Sequence, residues 1–177
     1  MGLYFYRLLG AATLDAGMYE GIEADRSTTG QAAITVLLSS LATGVGATAW
    51  FGFHPGVLLA VSGIALLTWV AWASLMFQIG SRVLPGPETH TGLGELLRTT
   101  GFAAAPGLLQ VLAAMPAVAA PIFVLTSLWM FAAMVTAVKH ALDYRSVGRA
   151  IAVCLLGASL CLVLAFGLGL VLSRSAS

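Results

Sequence analysis

The charged residues of this chain stand in islands, and the distances between the islands decide what it can fold into. Of fifteen Lys, Arg, Asp and Glu residues, six lie between Arg7 and Arg26, four between Arg82 and Arg98, four between Lys139 and Arg149, and Arg174 stands alone. The uncharged stretches between them, residues 27–81, 99–138 and 150–173, are 55, 40 and 24 residues long. A helix needs about 20 apolar residues to cross a hydrocarbon core ~30 Å thick, so the stretches have room for two, two and one crossings.

Composition fixes the class. Apolar residues make up 59% and charged residues 8%, against a globular norm of about 25% charged. A backbone in lipid must satisfy its own hydrogen bonds, and these runs are too continuous for the alternation of a barrel strand. The expected fold is an all-α integral membrane bundle of five transmembrane helices preceded by an amphipathic surface helix, one membrane domain over residues 1–177 with no room for a separate soluble domain. Residues 3–26 form the surface helix, with Leu14, Met18 and Ile22 on one line and Asp15, Glu20 and Glu23 on the other side. Its acidic polar face suits docking on the chain's own cationic loops. Arg7 is followed by a run interrupted at Asp15, unlike the h-region of a removable signal peptide.

The spans are expected at about 28–50, 56–79, 100–115, 121–138 and 149–172. Thr28 and Gln31 have capping-box spacing, Trp50 marks the far interface, and Pro55 suits a first helical turn. Pro85, Gly86 and Pro87 break the chain before a short helical segment at Glu95 to Arg98. The third span is short, and Pro106 is expected to kink it and free the Phe102 carbonyl. Pro116 and Pro121 bracket the next turn. With five crossings, Arg7, Arg26, Arg82, Arg98, Lys139, Arg145 and Arg149 all fall on one side and Arg174 on the other, as the positive-inside rule requires. The N-terminus is therefore expected on the inner side of the membrane and the C-terminus outside. Ser40, Gly44 and Thr48, and Ala165 with Gly169, are small-residue patterns that let helices approach closely.

Chemistry at depth is not expected. The spans hold no Asp, Glu, Lys or Arg, the usual marks of ion pathways and proton relays; their polar residues are Thr68, Gln110, Thr126 and Ser127. Cys154 and Cys161 lie about two turns apart on a helix, too far for a disulfide, and read as buried small residues. His54 falls at the outer edge and His90 and His140 on the inner face, so no pair is placed to hold a haem. Neither Glu-x-x-His nor His-x-x-x-His occurs, and no nucleophile elbow, P-loop or dinucleotide fingerprint is present. No cofactor, metal or enzymatic activity is expected, and eight scattered cations at a net charge of +1 exclude nucleic acid as a partner. The candidate working surface is the inner rim, formed by Glu20, Glu23, Asp25, Glu95, Arg98, Lys139, Asp143, Arg145 and Arg149. Acids of the first helix are expected to meet Arg98, Lys139 and Arg149 there, and the cations also suit anionic lipid head groups.

The strings ATLDAGMYEGIEADRSTTGQA (12–32), GELLRTTGFAAAPGLL (94–109) and KHALDYRSVGRAIAVCLLG (139–157), the last led into by the Trp129 span, resemble the bacterial branch of the Yip domain family, named for eukaryotic Ypt/Rab-interacting proteins. The resemblance spans essentially the whole chain. It implies a five-span bundle with a cytoplasmic amino terminus, and no reaction, cofactor or catalytic residue. Eukaryotic relatives act in vesicle traffic through a long cytosolic region linked to Rab binding, whereas about 26 residues precede the first span here. On the family-like strings, Glu95, Arg98, Gly101 and Pro106 with Asp143, Tyr144 and Arg149 mark the functional rim. The leading expectation is a non-enzymatic scaffold that presents this rim to membrane lipids, to a membrane protein partner or to a second copy of itself. A permeation or lipid-transfer protein, and an accessory subunit of a larger membrane complex, are the alternatives.

Overall fold

A computed structural model describes residues 2–52, 54–86 and 91–175, without the side chains of 49, 51, 57, 60, 61 and 164–175. His90 therefore lies outside the described residues, as do the side chains of Ala165 and Gly169. The described chain is all-helical: α1 (Gly2–Ala12), α2 (Ala16–Ala24), α3 (Thr28–Phe51), α4 (Pro55–Gln78), α5 (Leu93–Phe102), α6 (Ala119–Ala141) and α7 (Val147–Ser175). A π-helical turn (Ile79–Val83) extends α4, a 3-10 helix (Ala105–Ala114) follows α5, and a single 3-10 turn (Pro116–Val118) precedes α6.

The expected surface helix is two helices. Leu14 adopts a left-handed conformation at φ 62°, the Asp15 amide bonds back to the Gly10 carbonyl at 3.0 Å and the Leu14 amide to that of Ala11 at 3.2 Å. This is a Schellman termination of α1. Asp15 then caps α2 by accepting from the Met18 amide at 2.9 Å. Local hydrogen bonding by one Asp overrides the apolar line of Leu14, Met18 and Ile22. Both helices lean on the bundle: Tyr4 and Thr35 share a hydroxyl bond of 3.0 Å, Trp129 Nε1 donates to the Ala12 carbonyl at 2.7 Å, and the buried Tyr19 hydroxyl reaches the carbonyls of Ala11 and Ala133 at 3.1 and 3.3 Å.

Helix α3 begins at Thr28 as expected, but by another device. The Thr28 hydroxyl donates to the carbonyls of Ile22 and Asp25 at 3.0 and 2.7 Å, and Gln31 accepts from Arg7 at 3.3 Å, so no capping box forms. At the other end Gly52, at φ 76°, closes α3, and Pro55 stands in the first turn of α4. Trp50 packs on Phe123 there, ring centroids 4.9 Å apart. These contacts define the far end of the bundle. The near end carries the α4 terminus, the start of α5, the end of α6 and the start of α7, so successive long segments run alternately up and down.

The third segment departs from the expected short α-helix. Pro106 lies in the first turn of the 3-10 helix, and what it marks is a change of helix type. Three residues per turn put Gly107, Gln110 and Ala113 in one line, and all three are buried. They face Ser39, Thr43 and Gly46 of α3, another row of small residues. A Cβ on Gly107 would strike the Ser39 hydroxyl, and one on Gly46 would strike the Gln110 carbonyl. Thr43 Oγ1 donates to Gln110 Oε1 at 2.5 Å. The small-residue row Ser40, Gly44 and Thr48 serves a different neighbour, because the space above Gly44 is filled by Leu58 of α4.

Thr68 and Thr126 hydroxyls bond carbonyls of their own helices, Ile64 and Ile122, so among the four polar residues expected at depth Gln110 makes the interhelical bond. Cys154 is buried and Cys161 exposed, the latter on a part of α7 that has left the packed half of the bundle. Outward-facing Leu59, Leu67, Leu125 and Leu162 are each between 65% and 72% exposed. Thr28–Thr48, Ser62–Val83 and Pro116–Ala141 are long and apolar enough to cross a membrane, with a shorter apolar stretch at Val147–Val163.

Candidate functional site

The near end gathers described residues from all three charge islands into one rim. Its framework uses arginines on backbone carbonyls. Arg98, only 6% exposed, reaches from α5 to the Glu23 carbonyl through both Nε, at 3.0 Å, and Nη2. This ties α2 to α5 with the α2 carbonyl and not, as expected, with an acidic side chain. A carbonyl at the end of a short helix is an orphan acceptor, and a buried guanidinium is well matched to it. Arg149 likewise donates to the Pro85 carbonyl at 2.9 Å and covers the Tyr144 ring at 5.8 Å. The Tyr144 hydroxyl in turn donates to Leu84 and Gly80 carbonyls at 2.7 and 3.1 Å, where the π turn presents them. Burial pushes the Tyr144 phenol above its ordinary value, with Arg149 opposing.

Asp25 departs from the cluster. Ser27 donates to it from hydroxyl and amide at 2.7 and 2.9 Å, and Arg7 pairs with it at 2.6 Å. The Ser27 bonds first, then Arg7, hold its carboxyl down at about 2. It serves to fix the α2–α3 corner.

The remaining charges enclose a cavity of about 320 Å³, lined by Glu20, Glu23, Lys139, His140, Asp143, Tyr144 and Arg145. α2 brings the two glutamates. The C-terminal turn of α6 brings the rest, through a second Schellman turn in which Asp143 is left-handed at φ 51° and the Tyr144 amide returns to the Lys139 carbonyl at 2.9 Å. Tyr19 stacks on His140 at 6.2 Å, and Glu20 lies 3.7 Å from His140 Nδ1. Glu23 is half-buried; burial, followed by the nearby Asp143 and Glu95 carboxylates, pushes it up to about 7 against the pull of Arg98. Glu95 accepts from the Gly92 amide at 2.7 Å and so starts α5. Among the described residues, no group of three or more His, Cys, Asp or Glu side chains is arranged to hold a metal.

Of the nine rim residues read from sequence, Glu20, Glu23, Lys139, Asp143 and Arg145 share the cavity, Arg98 and Glu95 lie beside it on α5, and Arg149 and Asp25 brace its surroundings. Tyr144 and His140 complete the lining. Tyr19, which seats α2, carried no signal except its buried position beside the acidic face.

A helical bundle with apolar outer faces and charged residues gathered at one end defines a membrane protein. The Yip1 domain model matches residues 15–168, and the chain belongs to that family. Neither the search of curated proteins nor that of solved structures gives a match.

Proposed function

We propose that the protein is a five-crossing, non-enzymatic scaffold that presents its rim, on the cytoplasmic side of a bacterial membrane, to a partner protein or to lipid. The observation that carries this reading is the cavity at the rim, which gathers charged side chains from α2 and from the end of α6, while within the bundle the Thr68 and Thr126 hydroxyls bond their own helix carbonyls and Thr43 bonds Gln110. The five crossings rest on α3, α4, α6, α7 and the composite third segment. Beyond Arg98, six residues at about 1.5 Å of rise and the ten of the 3-10 helix at about 2.0 Å reach roughly 29 Å, close to a ~30 Å core. An α-helix throughout would lose about 5 Å of that reach under the same rises.

Two experiments test the reading. In a Cys161→Ala background, Ser146→Cys and His54→Cys should be labelled by an impermeant reagent from opposite faces of sealed vesicles; labelling from one face would overturn the crossing count. Proteins and lipids that co-purify in gentle detergent should change when Lys139→Glu and Arg145→Glu are combined in a chain that still folds. An unchanged set would remove the basis of the scaffold reading.

A further inference from the structure

Helix α1 turns one face to the bundle and the other away from it. On the inner face the Tyr4 ring packs on Phe102 at 6.1 Å, the Tyr4 hydroxyl meets Thr35, and Ala11 is fully buried. At about 100° per residue Leu3, Phe5, Tyr6 and Leu9 share the opposite side, and they are between 57% and 65% exposed. A contiguous apolar patch of this kind marks an interaction surface.

The contacts of α1 fix its depth. The carbonyls of Ala11 and Ala133 accept from the same Tyr19 hydroxyl, which sets the end of α1 beside Ala133. That residue precedes Lys139 of the rim by six positions on α6, or about 9 Å at 1.5 Å per residue. The Ala12 carbonyl accepts from Trp129, and Trp129 belongs with Leu125 and Leu128 to the outward apolar face of α6. The outer face of α1 continues that surface. The one charged residue of α1 is Arg7, and its side chain, 11% exposed, runs back to Asp25 and to Gln31 near the start of α3. Its charge is thereby kept out of the patch, as a long basic side chain at a membrane boundary keeps its head in polar surroundings. α2 differs, since its exposed Glu20 stands at the rim beside His140.

We infer that the outer face of α1 is seated in the near leaflet of the bilayer, at the boundary between head groups and acyl chains, while α2 stays above it in water. The occupant of the patch is lipid acyl chain. A helix lying at that boundary buries its apolar face about 5–10 Å, the depth that Ala133 marks. Helices of this kind commonly hold anionic lipid with outward lysines and arginines; α1 turns its one cation inward, so this surface recognises acyl chain and not head-group charge. The depth scale rests on the five-crossing reading above.

The test places a nitroxide label on the full chain, in the Cys161→Ala background, at Leu3→Cys, Leu9→Cys, Glu20→Cys or Leu38→Cys, and reads its collisions with oxygen and with a water-soluble nickel chelate. Leu38 is the reference for lipid, because it is 43% exposed and lies about 15 Å into α3 at 1.5 Å per residue. In vesicles of phosphatidylethanolamine and phosphatidylglycerol, oxygen should exceed nickel by about threefold or more at Leu3, Leu9 and Leu38, and nickel should exceed oxygen at Glu20, as the partition of the two reagents between acyl chains and water requires. The same values are expected in vesicles of phosphatidylcholine alone, and loss of the oxygen excess there would overturn recognition of acyl chain. Nickel in excess at Leu3 and Leu9, with oxygen in excess at Leu38, would overturn the seating of α1 and leave the five crossings standing. Nickel in excess at Leu38 as well would overturn both. Immobile labels at Leu3 and Leu9 that neither reagent reaches would mean that a second copy or another part of the chain covers the face, and would overturn the inference too.

Discussion

Two seams hold the molecule together by opposite means. Where the 3-10 helix lies on α3, small residues on both sides bring backbones into contact, and one hydroxyl–amide bond supplies the polarity. Where α2 lies on α5 and α6, a buried guanidinium of α5 reaches a helix-end carbonyl of α2. The first seam tolerates no added volume, and the second tolerates no lost charge. The comparison predicts which substitutions break which seam.

The largest effect is expected in the glycine seam. Gly46→Leu drives a side chain into the Gln110 carbonyl, which belongs to the backbone and cannot rotate away; the cost is about 3 kcal/mol. Gly21→Ala on α2 is the control, because nothing lies within 4 Å of its Cβ position, and it should stabilise by about 0.5 kcal/mol through helix propensity. Reversible unfolding in mixed micelles checks both, and equal effects would remove the contrast. Next comes Arg98→Gln at the charged seam, expected to cost about 2 kcal/mol, the worth of charged hydrogen bonds to one carbonyl. Proteolysis between α2 and α3 should accelerate with it while the α3 seam stays protected. Smaller again is Thr43→Val, which leaves the buried Gln110 oxygen without its donor and should cost about 1.5 kcal/mol. Adding Gln110→Leu should recover most of that loss, since removing both partners removes the unmet acceptor; a further loss would show that Gln110 has another role.

Acidity separates the seams as well. Glu23 titrates at about 7 in the fold against an ordinary 4.5, so the native state holds its proton more tightly than the unfolded chain does. Its contribution is complete below about 4.5 and is lost as pH rises through about 7. The groups that face it are Glu20 on α2, Glu95 and Arg98 on α5 and Asp143 after α6. Screening by water at a half-buried carboxyl leaves about 1 kcal/mol across that window. Glu23→Gln should flatten the alkaline fall in stability between pH 5 and 8, measured as the unfolding midpoint, and the α3 seam variants should keep the wild-type slope.

The sequence made the rim legible for a simple reason: a charge cannot remain in lipid, so the islands had to meet at membrane ends. Pro55 and the start of α3 at Thr28 were legible for reasons just as local. What lay beyond reach was decided by partners remote in the chain. Whether residues 105–114 wind as α or 3-10 depends on the row Ser39, Thr43 and Gly46, more than 55 positions earlier. Arg98 could not be assigned a carbonyl in preference to a carboxylate, because both sit on the same nine-residue helix and only the packing of Tyr19 and Ile22 fixes which one faces α5. Lys139 and Asp143 were legible as charges, but their shared cavity with Glu20 and Glu23 depends on where α2 docks.

The break at Leu14 is the smallest test of the comparison, and it separates local from tertiary control of α2. A branched side chain in the left-handed region costs about 1 kcal/mol, whereas glycine adopts it freely at the expense of a floppier unfolded chain. Leu14 is 36% exposed, so little packing is lost with it, and Leu14→Gly should stabilise the fold by about 0.5 kcal/mol net. If the Schellman turn and the Asp15 cap set the angle between α1 and α2, this variant should sharpen hydrogen-exchange protection of the Met18 and Tyr19 amides and leave the Arg98 seam unchanged. A destabilised variant would mean instead that Leu14 is held in its strained conformation by contacts to the bundle, and that α2 is placed by tertiary packing alone.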